Sequence, residues 1–208
     1  SSMIPAVYSA RAPMLRRALA LRCGADVVVD PREASPYAER PDDGFYRDLP
    51  VLIELSIGTQ EKLRNLPIPW HVTWRLVEKL GIGAPQRPVI FECVGVPGVM
   101  QQIIDGAPLM SRIVVAGVCM QVDRYEPALA LHKEVDVRFA FGHTPLEYRD
   151  TVHLIAEGKV NCAPMITGIV GLDGVANAFD ALKDPEQHAK ILVDPGSRAT
   201  SPVPVGVA

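Results

Sequence analysis

The chain is poor in what several large function classes require. Its 208 residues carry 21 Lys and Arg against 24 Asp and Glu, a net charge of −3, so no broad basic field exists to draw in nucleic acid or anionic lipid. No apolar run nears the roughly 18 residues a membrane span needs, and the first residues form neither a signal peptide nor a basic amphipathic transit helix. The expected compartment is cytoplasmic. Cys23, Cys93, Cys119 and Cys162 lie far apart with no CxxC pair, and the five histidines form no HExxH and no cluster at zinc spacing. Free thiols in a reducing compartment, and no metal site within this chain, are therefore expected. Glycine is missing where a backbone phosphate cradle would need it. No GxGxxG occurs, and Gly81-Ile82-Gly83-Ala84-Pro85 has the wrong spacing and runs into proline instead of opening a helix.

What is present reads as an ordinary globular protein, 48% hydrophobic and 22% charged, long enough for one well-cored domain or a domain with a smaller lobe. Short, continuously apolar, β-branched runs at 6–9, 27–29, 89–91, 113–116 and 135–141 predict strands covered on both faces. Helical patterns alternate with them. Residues 13–22 place Leu15, Ala18 and Leu19 on one face with Arg16 and Arg17 turned outward, and Gly24 stops that helix. Residues 97–107 repeat the pattern with Met100, Ile103 and Ile104. Thr144-Pro145-Leu146-Glu147 is a capping box opening a helix that ends near Gly158. This β, α, β order predicts an α/β fold with a parallel sheet flanked by helices. Residues 32–88 are a long helical insertion, with helices predicted at 49–66 and 70–80 broken by Pro67 and Pro69. Near the end come a strand at 165–170, a helix at 173–182 with Asp173 as N-cap and Val175, Phe179 and Leu182 on one face, and a strand at 191–193. Residues 196–208 are expected to be disordered.

Four stretches carry a resemblance: FECVGVPG at 91–98, IVVAGVC at 113–119, RFAFGHTPLEY at 138–148 and HAKILVDP at 188–195. With RRALALRCGADVVVDP at 16–31, they resemble successive landmarks of the zinc-dependent medium-chain alcohol dehydrogenases, from about residue 7 to residue 195. The resemblance implies a partial Rossmann fold lacking its first strand-GxGxxG-helix unit. Residues 1–158 would be an incomplete NAD(P)-binding domain, and 159–195 a segment returning to complete a catalytic domain that this chain does not contain. Zinc is expected only in that domain. The chain is then a truncated form or fragment, and alone it should not catalyse.

The resemblance also assigns a site. Cys93, Val94 and Gly95 would form one wall of a nicotinamide pocket, Ala116, Gly117 and Val118 would offer backbone groups to the carboxamide, and Phe141 would close the far side. The family's NAD-binding members carry an Asp after the strand ending near residue 9. Here that position is Ala10 or Arg11, with no acid before Asp26, which favours NADP over NAD: repulsion of the 2′-phosphate is removed and a guanidinium stands ready for it. Arg16 is a further candidate near the adenine or ribose phosphate, and Lys190 near the pyrophosphate. Implied partners are a nicotinamide dinucleotide, a small alcohol or carbonyl substrate in the intact enzyme, and a second copy through the strand at 135–141, with neither nucleic acid nor membrane. The alternatives are a non-catalytic, self-associating remnant of the fold and a zinc-free quinone or enoyl reductase of the same superfamily.

Overall fold

The computed structural model describes residues 6–8, 14–30, 33–38, 44–64, 67, 69–79, 87–184 and 186–205. In chain order they form β1 (Ala6–Tyr8), α1 (Met14–Arg22), β2 (Val27–Val29), α2 (Leu49–Arg64), α3 (Trp70–Lys79), β3 (Val89–Glu92), α4 (Val99–Gly106), β4 (Arg112–Val115), α5 (Pro127–His132), β5 (Asp136–Phe139), α6 (Pro145–Ala156), β6 (Ile166–Val170), α7 (Val175–Ala181) and β7 (Lys190–Val193). The chain divides into two compact units, one of Ser1–Pro36 with His143–Ala208, the other Tyr37–Gly142.

All strand pairs are parallel, as βαβ linkage demands: β1 with β2, β3 with β4 and β4 with β5, and β6 with β7. Among the described residues the ladders are β1-β2, β3-β4-β5 and β6-β7, in keeping with the parallel sheet flanked by helices that the sequence pattern predicts.

In the Tyr37–Gly142 unit the core is one face of α4 laid on one face of the sheet. Val99, Met100, Ile103 and Ile104 recur at the helical spacing and pack against Ile113 and Val115 of β4, with Leu129 and Ala130 of α5 and Ile90, Val135 and Val137 around them. Ile104 and Ile113 are wholly buried. On the opposite face of the sheet Val89 and Phe91 are exposed, so β3 is covered on one side only, not on both as its unbroken apolar run predicts. Helix α5 is an element that the sequence reading leaves out; it is six residues long, too short to show a period, and it starts with Pro127 in its first turn.

In the other unit the helix ends follow their sequence signals. Gly24, at φ 97°, closes α1: its N–H donates to Leu21 and the Ala25 N–H to Ala20. Thr144 accepts from the Glu147 N–H at 3.2 Å while its own N–H donates to Glu147 Oε2 at 2.7 Å, the reciprocal box predicted for α6.

Four expectations here are corrected. Arg17 does not turn outward; its Nη1 donates to Asp30 Oδ2 at 2.7 Å, and the Asp30 side chain is only 4% exposed at the end of β2. A buried carboxylate needs such a partner. Ala18 is exposed, while Leu19 is buried. Asp173 does not cap α7, because it lies inside a 3₁₀ turn, Leu172–Gly174, that precedes the helix; Ala178 is the buried position of α7, while Phe179 and Leu182 are exposed. Finally, residues 196–205 of the tail are paired with the rest of the unit, and 206–208 lie outside the described residues. Val203 bridges Ile169 through two backbone hydrogen bonds, Gly171 donates to the Ala199 carbonyl, and the Asn177 amide donates to the Thr200 carbonyl.

Candidate functional site

The register that sets Glu92 beside Val115 brings the carboxyl ends of β3 and β4 level, so the turns that follow them meet. The Glu92 carbonyl accepts the Ala116 and Gly117 N–H groups at 2.8 and 2.9 Å. Its side chain bends back over the next turn, where Oε1 accepts the Val94 N–H at 2.6 Å and the Gly95 N–H at 2.8 Å.

Both glycines are required by this closeness. A Cβ on Gly117 would lie 2.5 Å from Glu92 Oε2, 2.5 Å from the Gly95 nitrogen and 2.9 Å from the Val94 nitrogen. Gly117 is thus a glycine because the neighbouring turn presses on it, whatever else approaches. A Cβ on Gly95 would meet the Val118 nitrogen and oxygen at 2.7 Å, and its φ of 68° disfavours a side chain independently.

The loop leaving β4 is stitched to the start of α4. Asp123 Oδ1 accepts from the Gly98 N–H at 2.7 Å and the Arg124 N–H at 2.8 Å, and the Gln101 side-chain oxygen accepts from the Glu126 N–H at 2.6 Å. At the other end of α4, Lys133 Nζ donates to the carbonyls of Ile104, Asp105 and Ala107 at 2.9, 2.7 and 3.0 Å. Burial pushes that ammonium's pKa down, against Asp105 and Asp48, which favour the charge. Cys93 is exposed, yet partial burial and then the adjacent Glu92 charge push its thiol up. It therefore stays a protonated thiol near neutrality and is no nucleophile.

Of the residues assigned from the sequence, Cys93, Val94, Gly95, Ala116, Gly117 and Val118 come together at this one end of the sheet. Phe141 follows β5 at the same end, where the Ala140 N–H donates to the Val115 carbonyl, and its side chain is 100% exposed. Arg16, exposed on α1, and Lys190, exposed at the start of β7, belong to the other unit, and Ala10 and Arg11 lie outside the described residues. Sequence reasoning missed Glu92, Asp123 and Lys133. Only Glu92 left a signal there, a carboxylate closing an apolar run where a hydrophobic residue would pack as well.

No family model matches the chain. It is similar to the (R,R)-butanediol dehydrogenase of Neisseria gonorrhoeae, 28% identical over 154 residues that make up 70% of this chain and 43% of that protein. It is also similar to sorbitol dehydrogenase 1 of Saccharomyces cerevisiae, 30% identical over 104 residues, 50% of this chain and 29% of that one. Among solved structures, 2R,3R-butanediol dehydrogenase from Bacillus subtilis superposes with a TM-score of 0.59 at 21% identity, covering 92% of this chain and 44% of that one. An NADP-bound chain from Sinorhizobium meliloti 1021, assigned to the zinc-binding dehydrogenases, gives 0.57 at 22%, covering 91% and 44%. The chain spans less than half the length of each.

Proposed function

We propose that this chain, which is similar over part of its length to zinc-dependent medium-chain alcohol dehydrogenases, forms the nicotinamide-facing portion of an NAD(P)-linked alcohol or polyol dehydrogenase. The observation that carries this reading is the interlocked pair of turns after β3 and β4. In a doubly wound sheet the ligand crevice opens at the carboxyl ends of the strands, at the point where strand order reverses.

On this reading residues 1–158 are the cofactor-binding portion and 159–195 the segment that completes a catalytic domain. Zinc, where such an enzyme holds it, supplies a Lewis acid to the alcohol oxygen while hydride passes to the nicotinamide. On this reading the chain's own contribution is to bind and orient the dinucleotide. Val94 and Gly95 form a wall beside the ring. The Ala116 and Gly117 N–H groups are engaged by Glu92, so these residues can offer the carboxamide their carbonyl side. The side chain of Arg11, with no acid near it in sequence, suits a 2′-phosphate, so NADP is the preferred dinucleotide.

Titration of isotope-labelled chain with NADPH and NADH, followed by amide chemical shifts, tests this. Shifts at Gly95, Gly117 and Val118, stronger with NADPH, are expected at millimolar ligand. No shift there would overturn the site, and a low-micromolar dissociation constant would overturn the claim that the absent glycine-rich loop is indispensable for tight binding.

A further inference from the structure

We propose that the edge of β6 turned away from β7 is a strand-accepting surface, that the partner it fits is an extended segment with proline on either side of one pairing residue, and that residues 197–203 of this chain occupy it as a releasable plug. After β7 the chain turns tightly: Asp194 Oδ1 accepts the Gly196 N–H at 2.9 Å, and the Asp194 carbonyl accepts the Ser197 N–H at 3.0 Å. It then passes the carboxyl end of β6 and returns antiparallel along that strand's other edge. There Ile169 and Val203 exchange both backbone bonds, at 2.9 and 3.0 Å, and the Gly171 N–H donates to the Ala199 carbonyl at 2.8 Å.

Glycines on one side and prolines on the other are shaped to this pairing. Gly171 has φ −79° and ψ 177°, a conformation open to any residue. A Cβ there would nonetheless overlap the Ser197 carbonyl oxygen and lie 2.9 Å from the Ser197 carbonyl carbon and 3.4 Å from the Ala199 oxygen. The three atoms nearest it all belong to the tail, so it is the tail that requires glycine at this position. A Cβ on Gly174 would stand 2.7 Å from the Ala199 oxygen, and one on Gly168 would stand 3.1 Å from the Pro202 Cβ. On the tail, Val203 turns both its N–H and its C=O to β6, so the N–H groups of residues 202 and 204 would point away. Both residues are proline. The plug therefore pairs inward and offers a further strand no donor at either position. It also lies shallow: Val203 is 48% and Val205 38% exposed, and the Asn177 amide holds the Thr200 carbonyl at 2.8 Å from the side. A surface strand held by such bonds near a chain end opens without unfolding the rest of its unit.

Isotope-labelled full chain, as wild type and as Val203→Pro and Gly171→Ala variants, is followed by amide exchange and amide shifts with and without a synthetic peptide of residues 196–208. Val203→Pro removes the donor to Ile169 and leaves β6 intact, while Gly171→Ala fills the space over which the tail passes. The Tyr148 amide, bonded to the Thr144 carbonyl in α6, reports that the unit stays folded. In Val203→Pro, exchange at Ile169 should rise at least tenfold, and the peptide at millimolar concentration should restore it to within about twofold of wild type. A peptide carrying the same substitution should not. Gly171→Ala should also raise exchange at Ile169, without rescue by the peptide, and wild type, its plug in place, should show no peptide shift at Ile169 or Gly171. Unchanged exchange at Ile169 in Val203→Pro would overturn the plug, and raised exchange that the peptide does not restore would overturn the accepting surface. Rescue of Gly171→Ala, or equal peptide shifts in wild type and Val203→Pro, would overturn the fit to the glycine-lined edge.

Discussion

At the scale of single residues the turns are governed by contacts too short to admit another atom. Gly117→Ala should destabilise the Tyr37–Gly142 unit by about 1–3 kcal/mol, the usual cost of overpacking, because the new methyl would stand 2.5 Å from Glu92 Oε2. Urea unfolding monitored within that unit measures it. Cys93 offers a second prediction. Its thiol is pushed up by burial first and the Glu92 charge second, so it should be alkylated by iodoacetamide at neutral pH more slowly than cysteine in an unstructured peptide. The linkage has a definite sign. A group whose folded pKa is raised contributes stability that is whole below the ordinary thiol value and is lost as pH rises through the folded one. Stability should therefore decline in that alkaline window, and Cys93→Ser should flatten the decline. The motif FECVGVPG pointed to Cys93, Val94 and Gly95, but it could not assign a job to Glu92. A side chain's part in a turn depends on which amides the backbone presents to it, and these are set by the pairing of β3 with β4.

At the scale of elements, period and punctuation carried most of what was legible. The apolar stripe of Met100, Ile103 and Ile104, the closing Gly24 and the box of Thr144 with Glu147 each appear where local chemistry places them. Asp173 misled because a 3₁₀ turn took up the residues of the expected first helical turn. Phe179 misled because a helical stripe states which residues share a face, without stating that anything covers it. Lys133 was illegible for a related reason: its three acceptors lie 26 to 29 residues upstream, at the end of α4. Lys133→Met keeps the aliphatic stem but leaves those carbonyls without the ammonium. A loss of about 1–3 kcal/mol is expected from hydrogen bonds to a charged group, read as a lower urea midpoint with unchanged slope. Lys133→Arg should recover part of it.

At the scale of the sheet, β5 pairs with β4 on one side and, among the described residues, has no strand partner on the other. Phe139 and Phe141 beside it are 71% and 100% exposed, and Met120 at the same end of the sheet is 89% exposed. Unpaired edges with exposed aromatic side chains favour association. Sedimentation velocity should show concentration-dependent oligomers that Phe139→Lys, placed on the β5 edge, weakens; a monodisperse wild-type monomer would refute edge pairing. Which strand lies beside β5 was beyond sequence reading, since strand propensity is local and the choice of neighbouring strand is not.

The Glu92 carboxylate has one more consequence, in the language of redox balance. An oxidised nicotinamide ring is cationic and the reduced ring is neutral, so on the proposed reading a negative charge behind the turn that would face the ring favours the oxidised form and lowers the potential of the bound couple. Glu92→Gln, which keeps the hydrogen bonds and drops the charge, should shift the ratio of NADP to NADPH affinity toward the reduced dinucleotide. On that reading the oxidised dinucleotide would be held more tightly than the reduced one, and once bound would be a weaker hydride acceptor than the same couple free in solution.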